Sequence, residues 1–288
     1  MTDLVKKIRI FLEMIKFAHT IFALPFALTG ALLAAGGLPS LHQTLWIILA
    51  MVGARTAAMA MNRLIDADID AQNPRTVTRA LPAGLIGKGL TLFFIVASTL
   101  LMMFSARMLG PLCLKLSPIA LFFLLLYSYC KRFTSLAHVV LGICLAAAPI
   151  GAWVAIRGAI EGPALLLGGV VLFWVAGFDI LYALQDLEFD KNAGLHSIPV
   201  LLGVNGSLRA ARIFHVIMVG LLFSLYNLMQ LGPLFLVGIL VTIAMLLYEH
   251  WLLRHGDLSK LDAAFFNMNG YISVAIVCFT AADVLTRY

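Results

Sequence analysis

The chain is expected to be an all-α, polytopic membrane protein with about nine transmembrane helices. Three observations lead there. Of its 288 residues 62% are apolar and only 12% charged. The apolar residues fall in blocks of about 20 separated by short polar runs. Lys and Arg gather on alternate connections between those blocks.

A soluble domain carries about 25% charged residues, so the mean hydropathy of +1.01 points to lipid. Bilayer hydrocarbon offers the backbone no hydrogen-bond partner, and a helix of about 20 apolar residues satisfies its own backbone while crossing it. Read between polar punctuation, spans are expected near 17–37, 43–62, 87–108, 110–130, 136–156, 163–184, 208–230, 232–253 and 265–285. The first apolar stretch is longer than a secretory signal core and lacks a small-residue cleavage site, so it is read as a retained helix.

Nine spans place the amino terminus and every connection after an even-numbered span on one side. Fifteen of the twenty Lys and Arg, from Lys6 to Lys260, fall there, against Arg107, Lys115, Arg157 and Arg287 opposite and Arg55 within a span. Cytoplasmic connections hold the excess of basic residues, so that side is expected to be cytoplasmic, in the inner (plasma) membrane of a bacterium. Topology thus accounts for most of the net charge of +6, and no nucleic-acid partner is called for. Cys113, Cys130, Cys144 and Cys278 lie in expected spans without paired spacing, which suits small buried apolar residues better than a disulfide or a metal site.

A single domain over 1–288 is expected. It contains one internal echo, since Asp66 and Asp70 follow the second span, Asp186 and Asp190 follow the sixth, and both pairs are offset by 120 residues. Four spans separate the copies, which puts both on the cytoplasmic side and hints at a duplicated four-helix unit.

The first cluster runs Asn62-Arg63-Leu64-Ile65-Asp66-Ala67-Asp68-Ile69-Asp70. If the helix continues, Asn62, Asp66 and Asp70 share a face at i, i+4 and i+8, and Asp68 points elsewhere. Two carboxylates and an amide oxygen suit Mg2+, a hard ion that takes oxygen ligands and shares its shell with substrate phosphates. A solvated helix end is the plainer account of one such pair. The second cluster, Asp186-Leu187-Glu188-Phe189-Asp190-Lys191, repeats the spacing on the same side and argues against it. Like charges on one helix repel, so a ring of carboxylates calls for cations and becomes a place to hold a diphosphate.

Fixed positive charge is available from Arg75, Arg79, Lys131 and Arg132 in the cytoplasmic connections. Arginine matches phosphate oxygens two at a time, and lysine supplies a point charge. The same residues also satisfy the topology rule alone. Arg55 lies within the second span, about two turns before Asn62, where an arginine is costly and faces a polar cavity or partner. It could grip an anionic acceptor or the diphosphate, or form a structural ion pair.

These residues together resemble the UbiA-type intramembrane prenyltransferases. The resemblance rests on Asn62-x-x-x-Asp66-x-x-x-Asp70 with Pro74-Arg75-Thr76 and Arg79-x-Leu81-Pro82-x-Gly84, on Asp186-x-x-x-Asp190-x-x-x-Gly194 with Ser197-x-Pro199, and on Tyr127-x-x-x-Lys131-Arg132-x-Thr134. It covers nearly the whole chain. The opening segment 15–26 and Asn62-Arg63 look most like the 4-hydroxybenzoate polyprenyltransferase branch. Segment 179–199 looks similar to members associated with the futalosine route to menaquinone, so a dihydroxynaphthoate-type acceptor stays open.

The resemblance implies helices around a central cavity capped by cytoplasmic loops, and Mg2+-dependent transfer of a prenyl group from polyprenyl diphosphate to a small aromatic acid in quinone synthesis. Asn62, Asp66, Asp70, Asp186 and Asp190 would bind the metal, the four aspartates being catalytic. Arg75, Arg79, Lys131, Arg132 and Tyr127 would hold the diphosphate. Arg55, Arg63 and Lys16 would pair with the acceptor's carboxylate. Asp66, Asp70 or a nearby base would receive the ring proton. Haem, a chlorin and a glycerol phosphate lipid are further acceptors to weigh, of which haem and chlorin match Arg55 and the opening segment less well. A secondary transporter is the rival from another class, but its site would lie near the bilayer midplane, whereas these carboxylates crowd one rim.

Overall fold

The structure is a computed structural model that describes residues 3–15, 23–253 and 268–287. Among these residues every regular element is helical: α1 (Asp3–Met14), α2 (Leu24–Ala35), α3 (Leu41–Ile65), α4 (Ala67–Asp70), α5 (Lys88–Leu109), α6 (Pro111–Cys130), α7 (Ala137–Arg157), α8 (Gly162–Ala183), α9 (Leu187–Asn192), α10 (Ile198–Leu228), α11 (Pro233–Leu252) and α12 (Asn269–Thr286). Eight helical stretches are long and apolar enough to cross a membrane, and α2 is a shorter apolar helix. The expected spans at 17–37 and 265–285 lie only partly within the described residues.

The helix starts follow local chemistry. Proline stands in the first turn of α2, α6, α8, α10 and α11, where its missing N–H would have had no partner and its fixed φ suits the helix. Ser40 begins α3 with a reciprocal cap, accepting from the Gln43 N–H at 3.2 Å while its own N–H donates to Gln43 Oε1 at 3.2 Å. Gly36 and Gly158 close α2 and α7 in the left-handed conformation, at φ 62° and 70°.

The sequence places a span at 208–230, yet α10 begins at Ile198. The difference is a break at Gly203, whose φ of 66° and ψ of −177° are non-helical. Glycine takes that conformation without steric cost. The turn before it belongs to the loop layer, and the part after it is the expected span.

Helix α1 has no counterpart in the expected spans. It is amphipathic: Phe11, Met14 and Ile15 are buried, whereas Lys7, Arg9 and Glu13 are exposed. The Phe11 ring stacks on Phe94 of α5 with centroids 3.9 Å apart. Twelve residues with interleaved charge are too short and too polar to span a bilayer, and such a helix suits the interface plane.

The long helices pack in chain order around the bundle, and the last returns against the first, with α12 contacting both α11 and α2. Backbones approach closely where glycine omits a side chain. A Cβ on Gly142 of α7 would lie 2.5 Å from the Leu172 carbonyl oxygen of α8, and one on Gly53 of α3 would lie 2.8 Å from the Ser98 carbonyl oxygen of α5. Small residues at crossings are how helices associate in lipid, where no hydrophobic force drives them together. On the outer faces, Phe93, Leu100 and Phe104 of α5 are 62%, 61% and 54% exposed, a belt that only hydrocarbon would cover without penalty. At the end away from the acidic motifs, Asp283 of α12 accepts from the N–H groups of Gly232 and Phe235 at 2.8 and 3.2 Å, and so caps α11.

Candidate active site

Both acidic motifs sit at bends. α3 ends at Ile65, Asp66 adopts φ −91° and ψ 2°, and α4 resumes the helical path. In the second motif α8 gives way to a tight turn over Leu184–Asp186, Asp186 adopts φ −101° and ψ 4°, and α9 continues. The expected i, i+4, i+8 face therefore holds in outline, because the Asp66 N–H still donates to the Asn62 carbonyl and the Asp70 N–H to the Asp66 carbonyl, at 2.9 and 2.7 Å. The 120-residue echo extends to the backbone, since the first aspartate of each pair occupies the same unusual bend.

The bends aim four carboxylates into a layer of loops. Asp66 is 3% and Asp70 4% exposed. Burying carboxylates is costly unless each is paired, and each of these two is. Asp66 takes Lys131 Nζ at 2.7 Å on Oδ2 and Arg132 Nη1 at 3.1 Å on Oδ1, and Asn62 Nδ2 donates to Oδ2 at 3.0 Å. Asp70 takes Arg79 Nη1 at 2.7 and 2.8 Å on its two oxygens, with Arg63 Nη1 3.9 Å away.

The two motifs meet through residues 71–87. Asn73 Nδ2 donates to Asp186 Oδ1 at 2.9 Å. Arg75 Nε donates to the same oxygen at 2.8 Å, while its Nη2 donates to Asp186 Oδ2. Arg75 also donates to the Tyr182 hydroxyl at 3.3 Å and lies over that ring, 5.5 Å from its centroid. Burial pulls the Arg75 pKa down, but hydrogen bonding and charge from Asp186 more than reverse this, so it stands above arginine's ordinary value. The third loop is tied in by the His196 N–H, which donates to the Lys131 carbonyl at 2.7 Å. Asp190 lies within electrostatic reach of Asp186, Lys131, His138 and Arg75.

Among the described residues no three His, Cys, Asp or Glu side chains group closely enough to make a protein-only metal cage. The donor set instead fits an ion that takes one or two carboxylates and completes its shell with substrate phosphates, as Mg2+ does. Long Lys and Arg side chains neutralise the same oxygens here.

Most residues singled out in the sequence converge here: Asn62, Asp66, Asp70, Arg75, Arg79, Lys131, Arg132, Asp186 and Asp190. Tyr127, on α6, lies within the electrostatic field of Asp179, Asp66 and Arg63. Arg63 sits beside Asp70, among the carboxylates of the first acidic motif. Arg55 stands apart, seven residues and so about 10 Å below Asn62 along α3. Its Nε is buried without a hydrogen-bond partner. Lys16 lies outside the described residues.

Asn73, Tyr182, His138 and Asp179 join the site or its border without having been singled out. Asp179, Tyr182, Asp186 and Asp190 recur at i, i+3, i+7 and i+11, a helical face that the sequence does carry. Asn73 carries no periodic signal.

Helical spans, twin acidic bends at one end and a cationic loop cap define an integral membrane protein built to hold a polyanion against lipid. The family model described as the UbiA prenyltransferase family matches residues 23–271, and the chain belongs to that family of membrane prenyltransferases. A 4-hydroxybenzoate octaprenyltransferase of Aliivibrio fischeri (strain ATCC 700601 / ES114) is 30% identical over 257 residues, covering 88% of each chain. The one from Vibrio atlanticus (strain LGP32) is 28% identical over 247 residues, 85% of this chain and 86% of its own. Among solved structures, an apo UbiA homolog from Aeropyrum pernix K1 matches with a TM-score of 0.85 and 34% identity over 92% of this chain and 98% of its own. A UbiA homolog from Archaeoglobus fulgidus bound to DMAPP and Mg2+ shares the fold, with a TM-score of 0.75 and 22% identity over 96% of this chain and 99% of its own.

Proposed function

We propose that the protein transfers a polyprenyl group from polyprenyl diphosphate to the ring of a small aromatic acid, 4-hydroxybenzoate, in quinone biosynthesis. The observation that carries this reading is the convergence of Lys131, Arg132, Arg75 and Arg79 on the carboxylates of both acidic bends. A site that balances three of its four carboxylates with flexible cations is suited to a metal-bridged diphosphate. The acceptor is supported by the names of the Aliivibrio and Vibrio relatives and by the unpartnered Arg55.

Asn62, Asp66, Asp70, Asp186 and Asp190 would hold Mg2+, which would supply Lewis acidity to the departing group. Lys131, Arg132, Arg75 and Arg79 move from carboxylate to phosphate oxygens and stabilise charge as it builds there. Ionisation of the allylic C–O bond follows, and a nearby Tyr or Phe face shelters the cation. Arg55 holds the acceptor's carboxylate deeper in the bundle, which orients the ring toward the donor. The loop cap and surrounding lipid exclude water, the competing nucleophile. The prenyl tail lies among the spans, which accounts for an enzyme embedded in the bilayer where donor and product reside.

The cap and amino terminus face the cytoplasm of a bacterial inner membrane, by the distribution of Lys and Arg. A dihydroxynaphthoate-type acid is the second acceptor to test, because segment 179–199 resembles that branch. Purified protein supplied with Mg2+, prenyl diphosphate and each candidate acid, with products identified by mass, separates the two. Asp66→Asn is expected to abolish transfer while leaving membrane insertion intact, and retained turnover would remove the metal assignment.

A further inference from the structure

His138 and Asp179 lie outside both acidic motifs. His138, in the first turn of α7, is 4% exposed, and its Nδ1 lies 2.7 Å from Asp179 Oδ2 on α8. An ionised carboxylate can only accept, so this contact puts the proton on Nδ1 and leaves a lone pair on Nε2. That Nε2 is buried and has no hydrogen-bond partner. Buried polar atoms are nearly always paired, and an orphan calls for an explanation.

The pair's position offers one. Asp179 precedes Asp186 by seven residues, two turns or about 10 Å toward the membrane interior on the same helical face. Asp179 lies within electrostatic reach of Tyr127, and His138 within reach of Asp190. The pair therefore stands just below the diphosphate layer, where the acceptor ring must meet the allylic carbon. An imidazole held in one tautomer by a buried carboxylate is the general arrangement of a base with its orienter. The aspartates of the first motif suit that task less well. Asp66 is engaged by Lys131, Arg132 and Asn62, and Asp70 by Arg79, and a metal would engage the same lone pairs.

We propose that His138 is the base that removes the ring proton, with Asp179 as its positioning residue; this rests on the aromatic prenyl transfer proposed above. As the allylic C–O bond breaks, its electron pair leaves on the diphosphate, and a ring electron pair forms the new C–C bond. The cationic ring then gives its proton to His138 Nε2, and the C–H electron pair restores aromaticity. Asp179 stabilises the resulting imidazolium, and the proton departs with the diphosphate.

The test uses the full chain in membranes with Mg2+, geranyl diphosphate and 4-hydroxybenzoate, either unlabelled or deuterated at the ring carbons beside the hydroxyl. Wild type is expected to show no isotope effect, because ionisation is slower than proton loss. In His138→Gln, kcat should fall about 100-fold, a normal primary isotope effect should emerge, and the KM for geranyl diphosphate should hold. Asp179→Asn should change in the same sense but less. A thermal shift with geranyl diphosphate and Mg2+ reports whether each variant is folded, and Asp179→Asn carries the test if His138→Gln is not. Wild-type kcat in the folded variants, or lost rate without an isotope effect, overturns this inference alone. A wild-type protein that prenylates no aromatic acid overturns the aromatic reading, and this inference with it.

Discussion

Arg75 closes on both carboxylate oxygens of Asp186 across 111 residues of sequence. Its loop follows the first acidic motif, and its partner begins the second. The two motifs therefore form one site with a shared guanidinium at the seam. Such a fork holds a carboxylate or a phosphate equally well, which suits Arg75 to the diphosphate-holding role proposed for it.

Arg75→Gln is accordingly expected to lower kcat/KM for the prenyl diphosphate about tenfold or more, a change of about 1.4 kcal/mol. The side chain is 32% exposed, so solvent screening keeps the loss below that of a fully buried pair. Arg75→Lys should recover less than half of the lost free energy, because an ammonium cannot span two oxygens. Steady-state kinetics at saturating acceptor decides the point, and full activity in the lysine variant would deny the fork its role.

Arg55 has a buried Nε without a partner and, among the described residues, no ion pair with a carboxylate. Arg55→Ala should raise the acceptor KM by about tenfold to a hundredfold, in line with loss of a hydrogen bond to a charged group worth about 1.5–3 kcal/mol. The donor KM should stay within about twofold, as expected of an interaction with the acceptor alone. Equal effects on both substrates would place the guanidinium on the diphosphate instead.

Chelation should leave the fold in place. Asp66 and Asp70 are neutralised by Lys131, Arg132 and Arg79 without any metal, so removing Mg2+ exposes no unpaired buried charge. Thermal unfolding in EDTA should match that in Mg2+ within about 2 °C, roughly the shift that 1 kcal/mol would cause in a chain of this size. Mg2+ and prenyl diphosphate together should raise the midpoint further than either does alone, through linkage. A large drop on chelation alone would mean the metal is structural.

At the α7–α8 crossing, Gly142→Val should destabilise by about 1–3 kcal/mol, because its new Cβ would lie 2.5 Å from the Leu172 carbonyl oxygen. Gly151 on the same helix has open space around its Cβ position. Gly151→Ala should be neutral or slightly stabilising, by up to about 1 kcal/mol. Thermal inactivation in detergent compares them, and a harmless valine at 142 would show that the two backbones can separate.

The spans and the two acidic clusters were legible in the sequence because each is written in a few turns of chain. Apolar length reports the bilayer, and Asp at i, i+4 reports a helical face. The amphipathic α1 was missed because a short helix with mixed charge gives no spanning signal. Gly203 shows the same limit, since nothing nearby says whether a glycine will bend a helix or pass through it.

The pairings were decided by tertiary structure. Asn73 and Arg75 reach Asp186, His196 meets the Lys131 carbonyl, and His138 finds Asp179 only because packed helices bring their ends together. By itself the sequence determined a membrane protein with two acidic rims on one face, since composition and short-range spacing suffice for that. Only the fold could decide which cation serves which carboxylate, because hydrogen bonds act over about 3 Å and their partners here lie many residues apart along the chain.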